Sequence, residues 1–487
     1  MIQSKAIDIL GSLSNKEFQQ FGKYLDSSAF TSHKNLPKLY RFLKKYHPVF
    51  DSDSLTKESI YRAVYGSSAY DDSKTRKLLS DIYKEAEKFI VILNVFSQKE
   101  TYDKIILEEL DIRKLDSIFI SKYDEVTAYL DGSEKHYQYY LDKFLVEWKN
   151  IMFHLERGMQ HKIALNIYKR TEYLIFFFLS DLFLSLNDID SNRHAYNIIN
   201  KVNLAEFFIS NLNDKKLLEY IRQNKFENTD LVYTYYLGYL ALKNFNDEQS
   251  YYNLKEFVLK NIDSFHEGSQ KTSVIFLISY CTRKLRLQRT RKFELELNEW
   301  YNLYIKYKLH KISGENYIRS DLFLNILANY FDVGRISEAG KFLEDNIESI
   351  QPSHRKNMLA IANALIQFEK RNFGESLKHS SLIKSNTFLY KDKVKLLILK
   401  NNYELKNFEI AKELSHNYRN FLQENKNITD LQKERGTKFL HYYNILWRIF
   451  DGKGDKISLT KLKEEIAANS RFNESVWIQD KVNEFTK

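Results

Sequence analysis

The chain has 487 residues, a net charge of +10, and only 14 glycines and 3 prolines. A chain of this length exceeds one compact core, so we expect two or three domains or an extended repeat array. Because turns and hairpins need glycine and proline, their scarcity argues against a β-rich or doubly wound fold and predicts an all-α protein.

Residues 1–97 are predicted to form a separate helical module. Ser14 precedes Glu17 by three residues, the spacing of a capping box that satisfies the free amide hydrogens at a helix start. Leu13 and Phe18 flank the box as a hydrophobic staple. The pattern therefore predicts that a helix begins at this point.

A second helix with a cationic stripe is predicted around Pro37, ending near Pro48. The stripe consists of Lys34, Lys38, Arg41 and Lys45. Their spacing places the four side chains within about 60° of one another on a helix, opposite three leucines. Such a stripe is usually a solvated helix face, and the alternative is a surface that assists polyanion binding.

A long amphipathic helix is predicted from about Asp72 to Phe96, because apolar residues recur there at helical spacing. Residues 98–230 are predicted to form an irregular helical middle region. A break is expected at Gly132, and the polar stretches at 185–194 and 211–216 are interpreted as connectors.

The most hydrophobic stretch runs from Tyr173 to Leu186 and contains Asp181. It is shorter than the roughly 20 residues needed to span a bilayer, so we predict a buried helix and no membrane partner. No signal-peptide pattern is visible at the amino terminus. The single cysteine, Cys281, fits a reducing compartment and is interpreted as a buried apolar residue. These observations predict a cytoplasmic protein.

Residues 231–487 carry a periodic pattern, with three units that each hold an aromatic residue, an apolar residue five positions later and a small residue eight positions later. The units are Phe331, Ile336 and Ala339; Phe368, Phe373 and Ser376; and Tyr403, Phe408 and Ala411. A weaker copy begins at Tyr239. A helix–turn–helix unit accounts for this spacing, because the small residue lets the second helix approach the first.

The first unit resembles the tetratricopeptide repeat through Tyr330, Gly334, Arg335, Glu338 and Ala339. The second and third units carry Arg371 and Lys406 in place of the turn glycine, so an asparagine–aromatic turn is expected there instead.

The chain as a whole resembles a family of uncharacterised bacterial helical-repeat proteins, through stretches such as "LSNKEFQQFGKYL", "YDDSKTRKLLSDIYKEAEKF" and "NNYELKNFEIAKELSHNYRNFLQENK". The resemblance implies an N-terminal helical module followed by a tetratricopeptide-like α-solenoid of antiparallel helix pairs with C-terminal capping helices, and it brings no activity.

No catalytic, cofactor or metal site is predicted. Gly452 and Gly454 are not followed by the Lys-Ser/Thr pair of a phosphate-binding loop, and we interpret them as a solvated turn. His154 and His161 are seven residues apart, and two ligands do not make a tight zinc site. We therefore predict a protein that is not an enzyme, with an unrecognised active site as an alternative.

A cluster of cations without an acid lies in the C-terminal half. It consists of Arg283, Lys284, Arg286, Arg289, Arg291 and Lys292. Arginine is preferred where a planar fork grips phosphate or carboxylate, so nucleic-acid or other polyanion binding is one function to consider. The structural alternative is pairing with nearby acids or with the carbonyls at a helix C-terminus.

The leading hypothesis is an interaction scaffold that binds a protein or peptide partner in a solenoid groove. Amide side chains on the first helix of each pair are the candidate groove residues, because amides bind a peptide backbone. They are Asn329, Asn363, Gln367 and Asn402.

Overall fold

The computed structural model describes residues 4–27, 31, 33–133, 137–196, 200, 202–265, 267–287, 289–310, 317–383, 390–425, 428, 430–450, 456–468 and 474–485. Over these residues the chain forms 24 α-helices and no β-strand, so the predicted all-α class is confirmed. In the same ranges, no helix has both the length and the apolar character that a membrane span requires. The predicted turn at Gly452 and Gly454 lies outside the described residues.

The chain divides into two compact units. The first takes Met1–Asp131 and Leu145–Ala164, and the second takes Gly132–Phe144 and Leu165–Lys487. The segments 1–97, 98–230 and 231–487 stay a prediction from the sequence.

The helices of the first unit are short at its start and longer toward its end. They are α1 (Lys5–Ser12), α2 (Asn15–Asp26), α3 (Leu36–Leu43), α4 (Lys57–Tyr65), α5 (Asp72–Ser97), α6 (Lys99–Ile112) and α7 (Asp116–Gly132). The helix α8 (Tyr137–Glu156) is divided between the two units.

The first unit begins with a core that α1 to α5 share. The predicted capping box is present: the Ser14 backbone amide donates to Glu17 at 2.8 Å, and the Glu17 amide donates to the Ser14 hydroxyl at 3.3 Å. Leu13 and Phe18 of the predicted staple are both buried. The predicted long helix is confirmed as α5, whose apolar stripe lies in this core.

The prediction of a connector at 185–194 is wrong, because the helix α9 (Ala164–Tyr196) continues through that stretch. Leu186 and Asn187 are buried there, and the Asn187 amide donates to the carbonyl of Phe183 one turn back at 2.9 Å. The apolar stretch from Tyr173 is buried on one face only, since Phe178 on the other face is 43% exposed. Helical packing thus overrides the polar composition of the stretch.

The second unit continues with fifteen further helices in the described part of the chain. They are α10 (Leu204–Asn211), α11 (Asp214–Gln223), α12 (Asp230–Lys243), α13 (Glu248–Asn261), α14 (Glu267–Leu287), α15 (Arg291–Lys306), α16 (Ser320–Asp332), α17 (Ile336–Asn346), α18 (Pro352–Glu369), α19 (Phe373–Ser381), α20 (Lys391–Glu404), α21 (Phe408–Glu424), α22 (Asp430–Phe450), α23 (Lys456–Ala468) and α24 (Ser475–Glu484). The connector predicted at 211–216 is reduced to Leu212 and Asn213, since α10 ends at Asn211 and α11 begins at Asp214.

Consecutive helices of the second unit pack in pairs. The pairs α12–α13, α14–α15, α16–α17, α18–α19 and α20–α21 are in contact, and each pair also contacts the next one along the chain. In the three aligned units, the connectors between the two helices each have the same length of three residues, namely 333–335, 370–372 and 405–407.

The three aligned connectors share one backbone conformation. Gly334, Arg371 and Lys406 have φ angles of 76°, 62° and 59°. The residue after each donates its amide to the carbonyl five positions back, at 2.8 Å in the first two turns and 2.9 Å in the third. These bonds are those of a helix ending in a left-handed residue. The two turns that lack glycine therefore keep the backbone conformation of the turn at Gly334.

An asparagine side chain supports the two turns that lack glycine. The Asn372 amide donates to the side-chain oxygen of Gln367 at 2.9 Å, and the Asn407 amide donates to that of Asn402 at 3.1 Å. A left-handed conformation costs an ordinary residue about 1 kcal/mol or more, and these hydrogen bonds offset part of that cost.

The small residues of the three units are fully buried. Ala339, Ser376 and Ala411 each have no exposed surface. The aromatic residues are less uniform, because Phe368 and Tyr403 are buried whereas Phe331 is half-buried. The predicted role of the small residues in close helix approach agrees with this burial.

Candidate functional site

A cleft beside α14, which we call the α14 cleft, has a volume of about 620 Å³. Its walls come from α9, α12, α14, α15 and α16. It is lined by Asp188, Asp190, Ser191, Asn192, Leu242, Lys271, Ile275, Ile278, Ser279, Thr282, Arg283, Arg286, Tyr301, Tyr304, Arg319, Asp321, Leu322 and Asn325. Apolar, hydroxyl, amide and charged groups therefore meet in one depression.

One face of α14 forms the centre of this cleft. Ile275, Ser279, Thr282 and Arg286 recur at intervals of four, three and four residues, so all four lie on the same side of the helix. Behind them α14 approaches α12 closely at Gly238, where a Cβ atom would lie 2.5 Å from Cδ2 of Phe276. The absence of a side chain at Gly238 therefore sets the spacing of these two walls.

Arg286 presents a cation to the cleft without an ion pair among the described residues. Arg283 lines the same cleft but is engaged: it donates to Asp190 at 2.5 Å and stacks on Phe245, with its guanidinium carbon 4.0 Å from the ring centroid. Burial lowers the pKa of Arg283, and the nearby Asp190 carboxylate opposes that shift. Of the predicted basic cluster, these two arginines alone line the cleft.

The other four cations of the cluster lie around the α14–α15 connector, and each has partners. Lys284 and Lys292 both pair with Glu248, at 3.6 and 2.7 Å. Arg289 donates to Glu294 at 2.7 Å and also pairs with Asp332. The hydrogen bond from Lys292 to Glu248 raises the pKa of the lysine.

Arg291 binds the end of another helix. It donates to the carbonyls of Asp332 and Val333, both at 2.8 Å, where α16 ends. A cation at a helix C-terminus is favoured by the helix dipole as well as by these hydrogen bonds. Pairing with acids and with helix carbonyls thus accounts for five of the six cations, whereas polyanion binding stays a prediction.

The predicted groove amides lie away from the α14 cleft. Asn329 is 2% exposed; its amide donates to the Glu294 carbonyl at 3.1 Å, and its oxygen accepts from Asn298 at 2.9 Å. Asn402 is 3% exposed and, like Gln367, accepts from the asparagine of its own turn. Asn363 is half-buried on α18. Three of the four amides therefore serve helix packing or turn formation.

Apart from Arg283 and Arg286, the residues of the α14 cleft were not predicted from the sequence, because their periodicity is that of any amphipathic helix. Ile275, Ser279 and Thr282 form a mixed stripe beside the buried face of α14, which also holds polar residues. Only the partial exposure of the mixed stripe distinguishes it. The informative signal was Arg286, which the sequence placed in a cluster without separating it from its neighbours.

Of the predicted cationic stripe, Lys38 and Arg41 lie on the exposed face of α3, whereas Lys34 precedes the helix and Lys45 follows it. All four side chains of the stripe are exposed, and Leu36, Leu39 and Leu43 on the opposite face are fully buried. Arg41 pairs with Asp26 at 3.3 Å, and Lys45 lies over the Phe42 ring at 4.6 Å. The amphipathic helix is confirmed over Leu36–Leu43, so it ends before the predicted limit near Pro48. Its role in polyanion binding stays a prediction.

His154 and Cys281 each form a hydrogen bond within the protein. The His154 ring hydrogen-bonds the Asn150 carbonyl at 2.9 Å, and no group of three metal-binding side chains occurs within the described ranges. Cys281 is fully buried, as predicted, and its thiol donates to the Tyr251 hydroxyl at 3.4 Å. Burial raises the pKa of Cys281 to about 12, which keeps it a thiol at neutral pH.

Comparison of the chain with protein families, with curated proteins and with solved structures finds no match. The resemblance to bacterial helical-repeat proteins therefore stays a prediction from the sequence patterns.

Proposed function

We propose that the chain is a cytoplasmic, non-enzymatic interaction protein that binds an extended segment of a partner protein in the α14 cleft. The observation that carries this proposal is the composition of the cleft, where apolar, hydroxyl, amide and charged groups meet around Arg286, a cation with no ion pair in the described ranges. Peptide-binding grooves need apolar contact for affinity, together with donors and acceptors that recognise the backbone.

The architecture we propose for the second unit is a tetratricopeptide-like α-solenoid. Its support is the common turn geometry at Gly334, Arg371 and Lys406 and the burial of a small residue eight positions after each aligned aromatic. Stacked helix pairs bury the face that one pair cannot hide alone, and the first helices then line a continuous groove. The α14 cleft is lined in part by three such helices, α12, α14 and α16.

The side chains that line the cleft offer three kinds of contact to a bound peptide. Ser279 and Thr282 on α14 offer hydroxyl groups to a peptide backbone, and Ile275 and Leu322 offer apolar contact. Arg286 is suited to a carboxylate of the bound segment, because its guanidinium can make two parallel hydrogen bonds. The predicted amides Asn329, Gln367 and Asn402 have no part in this proposal.

The two alternative functions have less support. Polyanion binding through residues 283–292 is disfavoured by the partners of five of its six cations. Of the three acids that line the cleft, Asp190 pairs with Arg283 and Asp321 pairs with Arg319. Burial raises the pKa of the third, Asp188, so an unrecognised enzyme would have to work through that single carboxyl. Ion-paired carboxylates are better suited to shaping a surface than to proton transfer.

The test uses a displayed library of random peptides selected against the full chain. Peptides that bind the wild type should lose at least about tenfold in affinity for Ile275→Glu, because a charge replaces apolar contact in the cleft. The matched control is Leu259→Glu on α13, since Ile275 is 40% exposed and Leu259 is 48% exposed. Circular dichroism checks that both variants fold. Failure to enrich any peptide, or equal loss in both variants, contradicts the proposal.

A further inference from the structure

A second cleft lies between α21 and α22 and has a volume of about 460 Å³. We call it the α22 cleft. It is lined by Arg419, Leu422, Gln423, Lys433, Thr437, Leu440, His441, Asn444, Ile445 and Arg448. Three of these residues are cations and none is an acid, so its charge balance differs from that of the α14 cleft.

The three cations of the α22 cleft lack ion-pair partners in the part of the chain that the structure describes. Arg419 and Arg448 are exposed, and Lys433 is half-buried. The nearest acid in sequence, Glu434, pairs with Lys438 at 2.6 Å instead of turning toward the cleft. The three positive charges therefore face the cleft without neutralisation by described residues, unlike the cations around the α14–α15 connector.

One face of α22 supplies most of the lining. Lys433, Thr437, His441, Asn444 and Arg448 recur at intervals of four, four, three and four residues and so share one side of the helix. At 1.5 Å per residue, this row extends over about 22 Å. The cleft is therefore elongated, and its positive charges lie apart instead of converging on one point.

A close approach of the two helices holds the cleft in shape. At Gly436 a Cβ atom would lie 2.8 Å both from Cδ1 of Leu422 and from the hydroxyl of Tyr418, so only glycine permits this spacing. Leu422 and Leu440 are buried and line the floor. The cleft thus has an apolar floor and a cationic wall on a rigid helix pair.

The lining favours an acidic peptide over a nucleic acid. Proteins that bind single-stranded nucleic acid combine positive charge with aromatic side chains on which bases stack. No phenylalanine, tyrosine or tryptophan is among the described residues of the lining, which instead offers the amides of Gln423 and Asn444 and the hydroxyl of Thr437. These groups hydrogen-bond a peptide backbone while the cations pair with carboxylates.

We propose that the α22 cleft binds an extended acidic peptide segment of a partner protein, with Arg419, Lys433 and Arg448 as its carboxylate-binding residues. At about 3.3 Å per extended residue, a segment of roughly seven residues covers the row on α22. The site rests on the proposed function only in that the chain binds protein segments, and its residues are separate from those of the α14 cleft.

The test measures the affinity of fluorescein-labelled hexaglutamate for the full chain by fluorescence anisotropy at low salt. Each cation should form a solvent-accessible ion pair that contributes about threefold to affinity, so the triple variant R419Q/K433Q/R448Q should lose about thirtyfold. The control K341Q/K356Q/K412Q removes the same number of charges from exposed lysines outside both clefts and should change affinity by less than about threefold. Binding should weaken steeply with added salt.

Three further measurements distinguish binding in the α22 cleft from binding in the α14 cleft, from unspecific charge attraction and from nucleic-acid binding. The variant I275E should bind hexaglutamate as the wild type does, so failure of the α14 proposal and failure of this one are distinguishable. Hexaglutamine should not bind. Equal loss in the two triple variants would show unspecific attraction and overturn the proposal. It is also overturned if a twelve-residue oligothymidylate binds more tightly than hexaglutamate and loses that binding in R419Q/K433Q/R448Q, which would make the cleft a nucleic-acid site.

Discussion

Trp477 donates a hydrogen bond from its indole Nε1 to Oε1 of Glu404 at 2.8 Å, which joins the last helix, α24, to α20. Lys481, about one turn further along α24, donates to the second oxygen of the same carboxylate at 2.9 Å. The side chains of Lys481 and Glu404 are only 10% and 13% exposed. Glu404 therefore anchors α24 to α20 through a largely buried ion pair.

The first prediction concerns this anchor. Glu404→Gln keeps the shape of the side chain but leaves Lys481 with only the exposed Glu484 as its counter-charge. We expect a loss of about 2–3 kcal/mol in the free energy of unfolding, measured by urea denaturation. Glu375→Gln is the control, because the Glu375–Lys378 pair is 55% and 71% exposed and its loss should cost less than about 0.5 kcal/mol. Equal effects would refute the role of burial.

The second prediction concerns the left-handed turns. Arg371→Gly and Lys406→Gly should each stabilise the protein by about 0.5–1 kcal/mol, because both residues have a positive φ that glycine adopts without strain. Gly334→Ala should destabilise it by about 1 kcal/mol for the same reason. Thermal unfolding of the three variants checks the signs. A destabilising Arg371→Gly would mean that the arginine side chain contributes more than its backbone costs.

The third prediction concerns the small residue at which paired helices meet. Ala339→Leu places three more carbon atoms at a fully buried position and should cost about 1–3 kcal/mol or more. Ser337→Leu on the same helix is exposed and should change the unfolding free energy by less than about 0.5 kcal/mol. Urea midpoints of the two variants give the comparison, and similar midpoints would contradict close packing at Ala339.

The fourth prediction concerns acid stability in the first unit. Glu85 is 5% exposed and accepts hydrogen bonds from Tyr24 and Lys88, both at 2.8 Å. Burial raises the pKa of Glu85, but the bonds from Lys88 and Tyr24 outweigh that effect, and the net result is a pKa below the ordinary value of 4.5. A lowered folded-state pKa stabilises the fold above the unfolded-state pKa, and that contribution is lost as the pH falls through the folded-state value.

The lowered pKa of Glu85 predicts how the effect of a Glu85→Gln substitution changes with pH. Glu85→Gln should be less stable than the wild type at about pH 7, and the difference should shrink as the pH falls below the ordinary value of 4.5. Urea denaturation of both proteins at about pH 7 and about pH 3 tests it. A difference that does not change with pH would show that the ionisation of Glu85 makes no contribution to stability.

Local signals predicted the parts of the fold that depend on neighbouring residues. The Ser14–Glu17 box, the α5 stripe and the buried positions Ala339, Ser376 and Ala411 follow from spacing alone, because helix geometry brings these residues into contact. The prediction was wrong at 185–194, where burial of Leu186 and Asn187 holds polar residues in a helix. Composition was a poorer guide there than packing.

Composition and apolar periodicity suffice to predict an all-α protein with a recurring helix pair in its C-terminal part, because they reflect forces that act within each helix and its turn. Which polar groups face the two clefts depends instead on contacts between distant parts of the chain. Asn329 and Arg291 form hydrogen bonds with the backbone carbonyls of Glu294 and Val333, which are distant in sequence. Arg286, Arg419 and Arg448 instead face a cleft. The physical reason is that a side chain's availability depends on which acids and carbonyls the fold brings beside it, and those partners lie tens of residues away along the chain.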